Sequence, residues 1–402
     1  MAEKYEERPE DHRFLLSKVS LLFAGQFAGV GIFLPFFPIF LSDRGFSDVD
    51  IGFLLAAPMI TRVLCVPFLT AIADRSGRRR KAILIYSLSS ALVFSSLYFT
   101  NDFWAVFVLL LLASACWTTV TPLSDAYAGD VVSAAKADYG KMRLWGSVAF
   151  ILATFLGGIA LQYWDSGFVI DSMVLTLIGT AVVCLFLPHI STTRKIKGQE
   201  QEREPAEQKN AISILMAPPF LTLLLVGAAI QSSHGVYYNF GSIFWQKLGI
   251  SGTIIGTLWG VGVAVEVGLF WIAGRLNAYV TPAGYLCIGG VSALIRWVSF
   301  PYIEWLPGIF ALQCLHGLSF GATHLGTIGL VRQMIPSRLA GSAQGLNTTL
   351  MGGLTAVVMV FSGSLYSFGP ATAFLTMAGF VVCSLGVLLF AVRYWSSENA
   401  PI

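Results

Sequence analysis

Between Arg338 and Arg393 the chain runs for 54 residues without a single Asp, Glu, Lys or Arg. A helix needs about 20 apolar residues to cross the hydrocarbon core of a bilayer, so this run is long enough for two. Backbone polar groups find no water there, which restricts the run to helices. The turn sequence YSFGP, residues 366–370, divides it. The same pattern recurs along the chain, with charges as boundaries. Lys18 to Asp43 gives a first helix and Asp50 to Asp74 a second, interrupted only by Arg62. Lys81 to Asp102, Asp102 to Asp125, Arg143 to Asp165 and Asp171 to Arg194 give four more. Residues 191–210 are polar and mix both signs of charge without an apolar period, as a solvated linker does. Lys209 to Lys247 holds a seventh helix; the eighth, ninth and tenth carry Glu266, Arg296 and the pair His316 and His324.

The expected fold is an all-α integral membrane protein with twelve transmembrane helices. Residues 1–190 would form one six-helix bundle and 211–402 another, joined by the 191–210 linker, with a cavity between them. Only 12% of residues are charged, against about 25% in soluble proteins. With the N-terminus in the cytoplasm, 21 of the 25 Lys and Arg fall on the cytoplasmic side. Arg44 and Lys247 then lie outside, and Arg62 and Arg296 within spans. Both termini are therefore expected in the cytoplasm, with the chain crossing the inner membrane many times. The first 13 residues lack the pattern of a signal peptide. The six cysteines all sit in apolar runs without CxxC or Cys/His spacing, so neither a disulfide framework nor a metal site is expected, and no cofactor. GQFAGVG and MGGLTA lack the Lys-Ser/Thr of a phosphate loop; their small residues let helices approach closely. HExxH, a nucleophile elbow and paired catalytic carboxylates are absent, which argues against an enzyme. The expected partners are a small solute, a proton and the bilayer, not nucleic acid, and a monomer is taken as the working unit.

The turn after the second helix reads TAIADRSGRRRKA, residues 70–82. It resembles the G-x-x-x-D-R-x-G-R-R signature of the major facilitator superfamily. Asp74, Arg75, Gly77, Arg78 and Arg79 match, while Thr70 replaces the preferred Gly. The resemblance implies a cytoplasmic gating loop. AGRLNAYVTP after the eighth helix looks like a degenerate copy. PLSDAYAGD, DYGKMRLWGSVAF, HGVYYNFGSIFWQ, VAVEV with IRW, LQCLHG and THLG resemble bacterial phenylpropionate permeases, relatives of the lactose permease and of nucleoside–proton symporters. That resemblance implies alternating access and proton-coupled uptake.

An ionisable residue at mid-membrane costs roughly 2.5–3.5 kcal/mol on insertion scales and so marks a functional candidate. Arg62 is the one charge in the second helix: a fork for a substrate carboxylate, or a structural partner of Asp125. Thr118, Thr121 and Asp125 form a polar stripe. Asp125 is either a boundary residue or, by resemblance to the lactose permease, one half of a substrate-binding pair with Arg143. His234 and Tyr238 share a helix face, with Tyr237 beside them; aromatic walls with hydroxyls suit a planar ligand, although such tyrosines also mark membrane interfaces. Gln26, Gln344 and Asn347 are further cavity candidates. His316 and His324 lie eight residues apart, roughly on one face. By resemblance His316 holds the place of a proton-relay histidine, and Ser319 the place of that relay's acid. Glu266 is then the one acid deep in the C-terminal half, and it is expected to carry the proton. Its partner is expected to be Arg296, with His316 between them.

The leading reading is a proton-coupled importer of an aromatic or phenyl-alkyl carboxylic acid. A nucleoside or sugar symporter is the alternative, and a non-transporting membrane sensor a remote one.

Overall fold

The computed structural model describes residues 9–135, 138–188 and 211–395. The expected 191–210 linker and the two chain termini lie outside the described residues. The N-terminal set comprises α1 (Pro9–Asp43), α2 (Asp48–Leu55), α3 (Ala57–Leu64), α4 (Val66–Ser76), α5 (Arg79–Ser96), α6 (Phe103–Ala135), α7 (Tyr139–Tyr163) and α8 (Phe168–Phe186). The C-terminal set comprises α9 (Pro218–Ser232), α10 (Gly235–Lys247), α11 (Gly252–Leu276), α12 (Pro282–Ser299), α13 (Leu306–His316), α14 (Thr323–Met334), α15 (Ala340–Ser367) and α16 (Pro370–Trp395).

Among the described residues, nine helical stretches are long and apolar enough to cross a membrane, or ten when the bent α2–α4 unit is counted. The other two expected spans are α12, which carries Arg296 in its eighteen residues, and the α13–α14 unit, broken by a π-helical segment at Gly317–Ala322. Both give up apolar continuity to hold polar side chains.

Local chemistry explains the breaks. Pro58 and Pro67 start α3 and α4, because proline lacks the N–H that a continuous helix needs. The unit bends by 45° between Leu64 and Val66, at the second of these breaks. Ser47 caps α2 reciprocally with Asp50. Gly77 closes α4 at φ 63°, a left-handed position that favours glycine, which accounts for the Gly of the DRxGRR turn. Gly369, at φ 118°, makes the turn inside YSFGP before Pro370 opens α16.

The N-terminal helices pack mainly on one another, as do the C-terminal ones. Contacts between the sets run along α7 with α11 and α2 with α15. Both seams depend on missing side chains. A Cβ on Gly256 would fall 1.9 Å from the Thr154 carbonyl oxygen, and one on Gly158 2.3 Å from that of Gly252. A Cβ on Gly363 would meet the Asp48 carbonyl oxygen at 2.1 Å. All these contacts lie at the end that carries Arg44 and Lys247. Toward the other end, Gly268 and Gly274 of α11 and Gly341 and Gly345 of α15 have nothing within 4 Å of a Cβ. The close approaches between the two sets thus lie at the end that carries Arg44 and Lys247.

Candidate functional site

On the N-terminal side, α3 places Arg62 in its last turn, just before the break at Cys65. α6 continues past Asp125 to Ala135, so Asp125 lies inside the helix rather than at its boundary. The Tyr139 hydroxyl donates to Asp125 Oδ1 over 2.8 Å. Arg62 and Arg143 both act electrostatically on Asp125. Neither comes within 4 Å of it, for the ion pairs between described residues both belong to Arg79. The Arg143 guanidinium lies over the Phe27 ring, 3.8 Å from its centroid. This contact covers one face of the guanidinium and leaves the planar N–H edge for a ligand.

Glu266 stands opposite, on α11. It is half-buried and forms no hydrogen bond or ion pair with any described residue. Arg143, in the other helix set, and the Tyr238 hydroxyl lie within its electrostatic reach. Gly317 and Gly321 admit α11 at this depth: a Cβ on Gly317 would fall 2.7 Å from the Glu266 amide nitrogen. Both glycines belong to the π segment, a break often found at functional sites.

Behind Glu266, Arg296 is sealed at 0% exposure. Its Nε donates to the Leu312 carbonyl over 3.1 Å and Nη2 to Gln313 Oε1 over 3.0 Å. Its Nη1 reaches His316 Nδ1 at 3.1 Å and Ser319 Oγ at 3.2 Å. The Tyr237 and Trp297 rings lie 5.0 and 4.6 Å from the guanidinium carbon. Gln313 Nε2 donates onward to the Tyr237 hydroxyl over 2.8 Å. Ser319 Oγ meets His234 Nε2 at 2.9 Å, and His234 Nδ1 faces the carbonyls of Ile230 and Gln231. Arg296 therefore has every terminal nitrogen engaged without a carboxylate, in a cluster closed to solvent.

Residues 16–376 match the model of the MFS_1 like family, which spans most of the chain. The chain belongs to the MFS_1 like family. It is 28% identical over 355 residues to the probable 3-phenylpropionic acid transporter of Escherichia coli (strain K12), covering 88% of this chain and 91% of that one. It is 23% identical over 344 residues to the maltose permease of Geobacillus stearothermophilus, covering 82% of each. Among solved structures, nucleoside transporter NupG aligns with a TM-score of 0.77 at 18% identity, covering 94% of this chain and 99% of that chain. A bacterial homologue of the human lysosomal transporter Spinster aligns with a TM-score of 0.74 at 14% identity, covering 98% and 100%. MFS_1 like membership makes the chain a multi-pass membrane transporter and not an enzyme.

Several expectations about this MFS_1 like chain need correction. Glu266 does not pair with Arg296, whose nitrogens are taken by α13, Gln313, His316 and Ser319. His316 does not bridge the two. The π segment changes the register between His316 and His324, so they do not share a face. His316 is buried against Arg296, whereas His324 is exposed beside Phe270. His234 and Tyr237 are buried in the cluster, and of the three only Tyr238 is half-buried. Gln26 is buried too: its Nε2 donates to Ser124 Oγ, and its Oε1 is unpartnered. Asn347 is half-buried on α15. In the DRxGRR turn Arg79 joins Asp74 at 2.7 Å and Asp130 at 2.5 Å, while Arg75 and Arg78 are exposed. Sequence reasoning missed Tyr139, Gln313, Asp130 and the hub role of Ser319. Tyr139 was within reach, lying four residues before Arg143 on one helix face.

Proposed function

We propose that this family member is a proton-coupled symporter that imports an aromatic or phenyl-alkyl carboxylic acid by alternating access. It works as a monomer of two six-helix bundles, residues 1–190 and 211–402, in the inner membrane, with both termini and the 191–210 linker in the cytoplasm. The end closed by the glycine seams is then periplasmic, and the gap opens inward.

One observation carries the reading. Glu266 forms no hydrogen bond or ion pair with a described residue, and Arg143, in the other helix set, lies within its electrostatic reach. Rocking of the bundles would change their separation. When Glu266 is ionised it competes for Arg143; when it is protonated it releases the guanidinium edge to a substrate carboxylate. Arg62 is a second fork across Asp125. Phe27 and the half-buried Tyr238 supply aromatic surface beside the charges. Arg296 and His316 act through position, holding α12, α13 and the π segment behind Glu266. The name of the E. coli relative supports an aromatic acid over a nucleoside or sugar.

Counterflow in proteoliposomes tests the reading with phenyl-alkyl acids, nucleosides and disaccharides. Exchange of the acids is expected. Exchange of nucleosides or disaccharides alone would replace the proposed substrate class. Cysteines placed in 191–210 should resist an impermeant thiol reagent in intact cells, and labelling from outside would reverse the orientation.

A further inference from the structure

We propose that a cleft in the C-terminal bundle, at the end remote from Lys247, holds the headgroup of an anionic phospholipid. None of the residues lining it belongs to the solute site proposed above.

α11 runs from Gly252 to Leu276, and the turn after it leads into α12 at Pro282. Between this turn and the end of α14 lies a cleft of about 210 Å³, lined by Asn277, Val280, Tyr285, Leu325, Ile328 and Arg332 among others. Its polar edge consists of donors. The buried Tyr285 donates its hydroxyl to Asn277 Oδ1 over 2.9 Å. That bond holds the carboxamide and leaves the Nδ2 hydrogens without an acceptor among the described residues. Arg332, in the last turn of α14, is exposed and forms no hydrogen bond or ion pair with a described residue. A guanidinium and an amide N–H₂ offer a ligand only hydrogens, which selects an anion. Val280, Leu325 and Ile328 give the cleft apolar walls. A free ion gains nothing from such walls, whereas the glycerol and acyl carbons of a lipid bury apolar surface against them.

The charge at this end calls for a partner from outside the bundle. In the N-terminal bundle, Arg79 of the DRxGRR turn is answered by Asp74 and Asp130. The turn after α11 has Ala273-Gly274-Arg275 where the other has Ala73-Asp74-Arg75, and Tyr279 in the place of Arg79. Residues 211–395 contain two acids, Glu266 within its span and Glu304 at the opposite end. Arg275, Arg332, Arg338 and Arg393 therefore share their end with no carboxylate among the described residues. The bias of basic residues to one side of a membrane accounts for the arginines and not for the missing acids. Trp271 and Tyr279, 83% and 87% exposed, flank Arg275 by four residues on either side, as aromatic residues at headgroup level do. A lipid phosphate at that level supplies the absent negative charge.

The same lack of acids selects the headgroup. An ethanolamine or choline cation would find no carboxylate and would lie beside Arg332. A glycerol headgroup brings no positive charge. Phosphatidylglycerol is therefore favoured over phosphatidylcholine.

The test uses the whole delipidated chain in detergent, with its Tm followed during titration with dioctanoyl-phosphatidylglycerol, dioctanoyl-phosphatidylcholine or inorganic phosphate. Phosphatidylglycerol should raise Tm saturably, and the other two should not do so at ten times its midpoint concentration. Arg332→Gln and Asn277→Ala should each move the midpoint up by about tenfold, the loss of one hydrogen bond to a charged group. Arg393→Gln, on α16, should keep the wild-type midpoint. If Arg332→Gln does not fold, Asn277→Ala carries the same reading. Equal shifts with both lipids, no saturable shift, or an unchanged midpoint in the folded cleft variants would overturn the proposal. A matching shift with inorganic phosphate would replace the lipid by a free anion. No transported solute enters the measurement, so its outcome is independent of the function proposed above.

Discussion

Arg296 donates from Nη1 to His316 Nδ1 over 3.1 Å, inside a cluster that solvent does not reach. A guanidinium has donors only, so Nδ1 must offer its lone pair. While the bond lasts, the ring is neutral and carries its proton on Nε2. A His316 that relayed protons through Nδ1 would have to break this bond and turn two cations against each other. The cluster is thus a fixed wall behind Glu266.

His316→Gln should therefore retain pH-driven accumulation to within about threefold, because the amide oxygen can accept from Arg296 in place of the ring. His316→Leu leaves a buried guanidinium N–H unpaired and should cost about 1–3 kcal/mol, read as a lower Tm in detergent. If folded His316→Gln exchanges solute but no longer responds to pH, His316 carries the proton after all.

The seam between α7 and α11 makes a second, independent prediction. A side chain at Gly256 meets the Thr154 backbone oxygen, which cannot move aside as a flexible side chain would. Gly256→Val should hold the seam open and slow exchange by about tenfold or more, since overpacking typically costs 1–3 kcal/mol. In a cysteine-free background, Val263→Cys should then react faster with an impermeant thiol reagent from outside. Unchanged exchange and labelling would mean that the ends close without this contact.

The charge pattern made the helices legible, because a bilayer tolerates so few charges that each boundary is written in the sequence. It also marked Arg62 and Glu266 as charges within spans, whereas Asp125 and Arg143 read as boundary charges and were singled out as site candidates only by the resemblance to the lactose permease. Partner choice was less legible. Glu266 and Arg296 lie on consecutive spans, which suggested a pair, but their contacts depend on rotation about each helix axis. The π segment compounds this, since it shifts the face on which His316 and His324 emerge and nothing in HGLSFGATH announces it. Ser319 was read for the acid it lacks; its hydroxyl instead lets Arg296 and His234 share one oxygen.

Arg62→Lys and Arg143→Lys keep the charge and lose the planar fork. Each should weaken binding of an aromatic acid by about tenfold, roughly one charge-assisted hydrogen bond. The corresponding amide, which makes no bidentate contact, should change little. Tryptophan-fluorescence titrations of both ligands would decide. Equal losses for acid and amide would make these arginines structural partners of Asp125 and not a carboxylate clamp.

Glu266→Gln mimics the protonated acid and separates proton coupling from solute binding. With Glu266 neutral, Arg143 has no competitor from the C-terminal bundle, so solute binding should persist and its pH dependence should flatten. Counterflow exchange needs only the loaded carrier to reorient and should continue. Accumulation under a pH gradient needs Glu266 to give up its proton on the inside, and should fall to equilibration. A structural role predicts a different outcome. Glu266 forms no hydrogen bond or ion pair with a described residue, so its replacement removes no formed bond and should change stability by less than about 1 kcal/mol, read as a Tm close to that of wild type. A large drop in Tm would point to a partner made in the outward-open state. Full accumulation by a folded Glu266→Gln variant would show that the proton travels elsewhere, and His324, the exposed histidine beside Phe270, would be the next residue to replace.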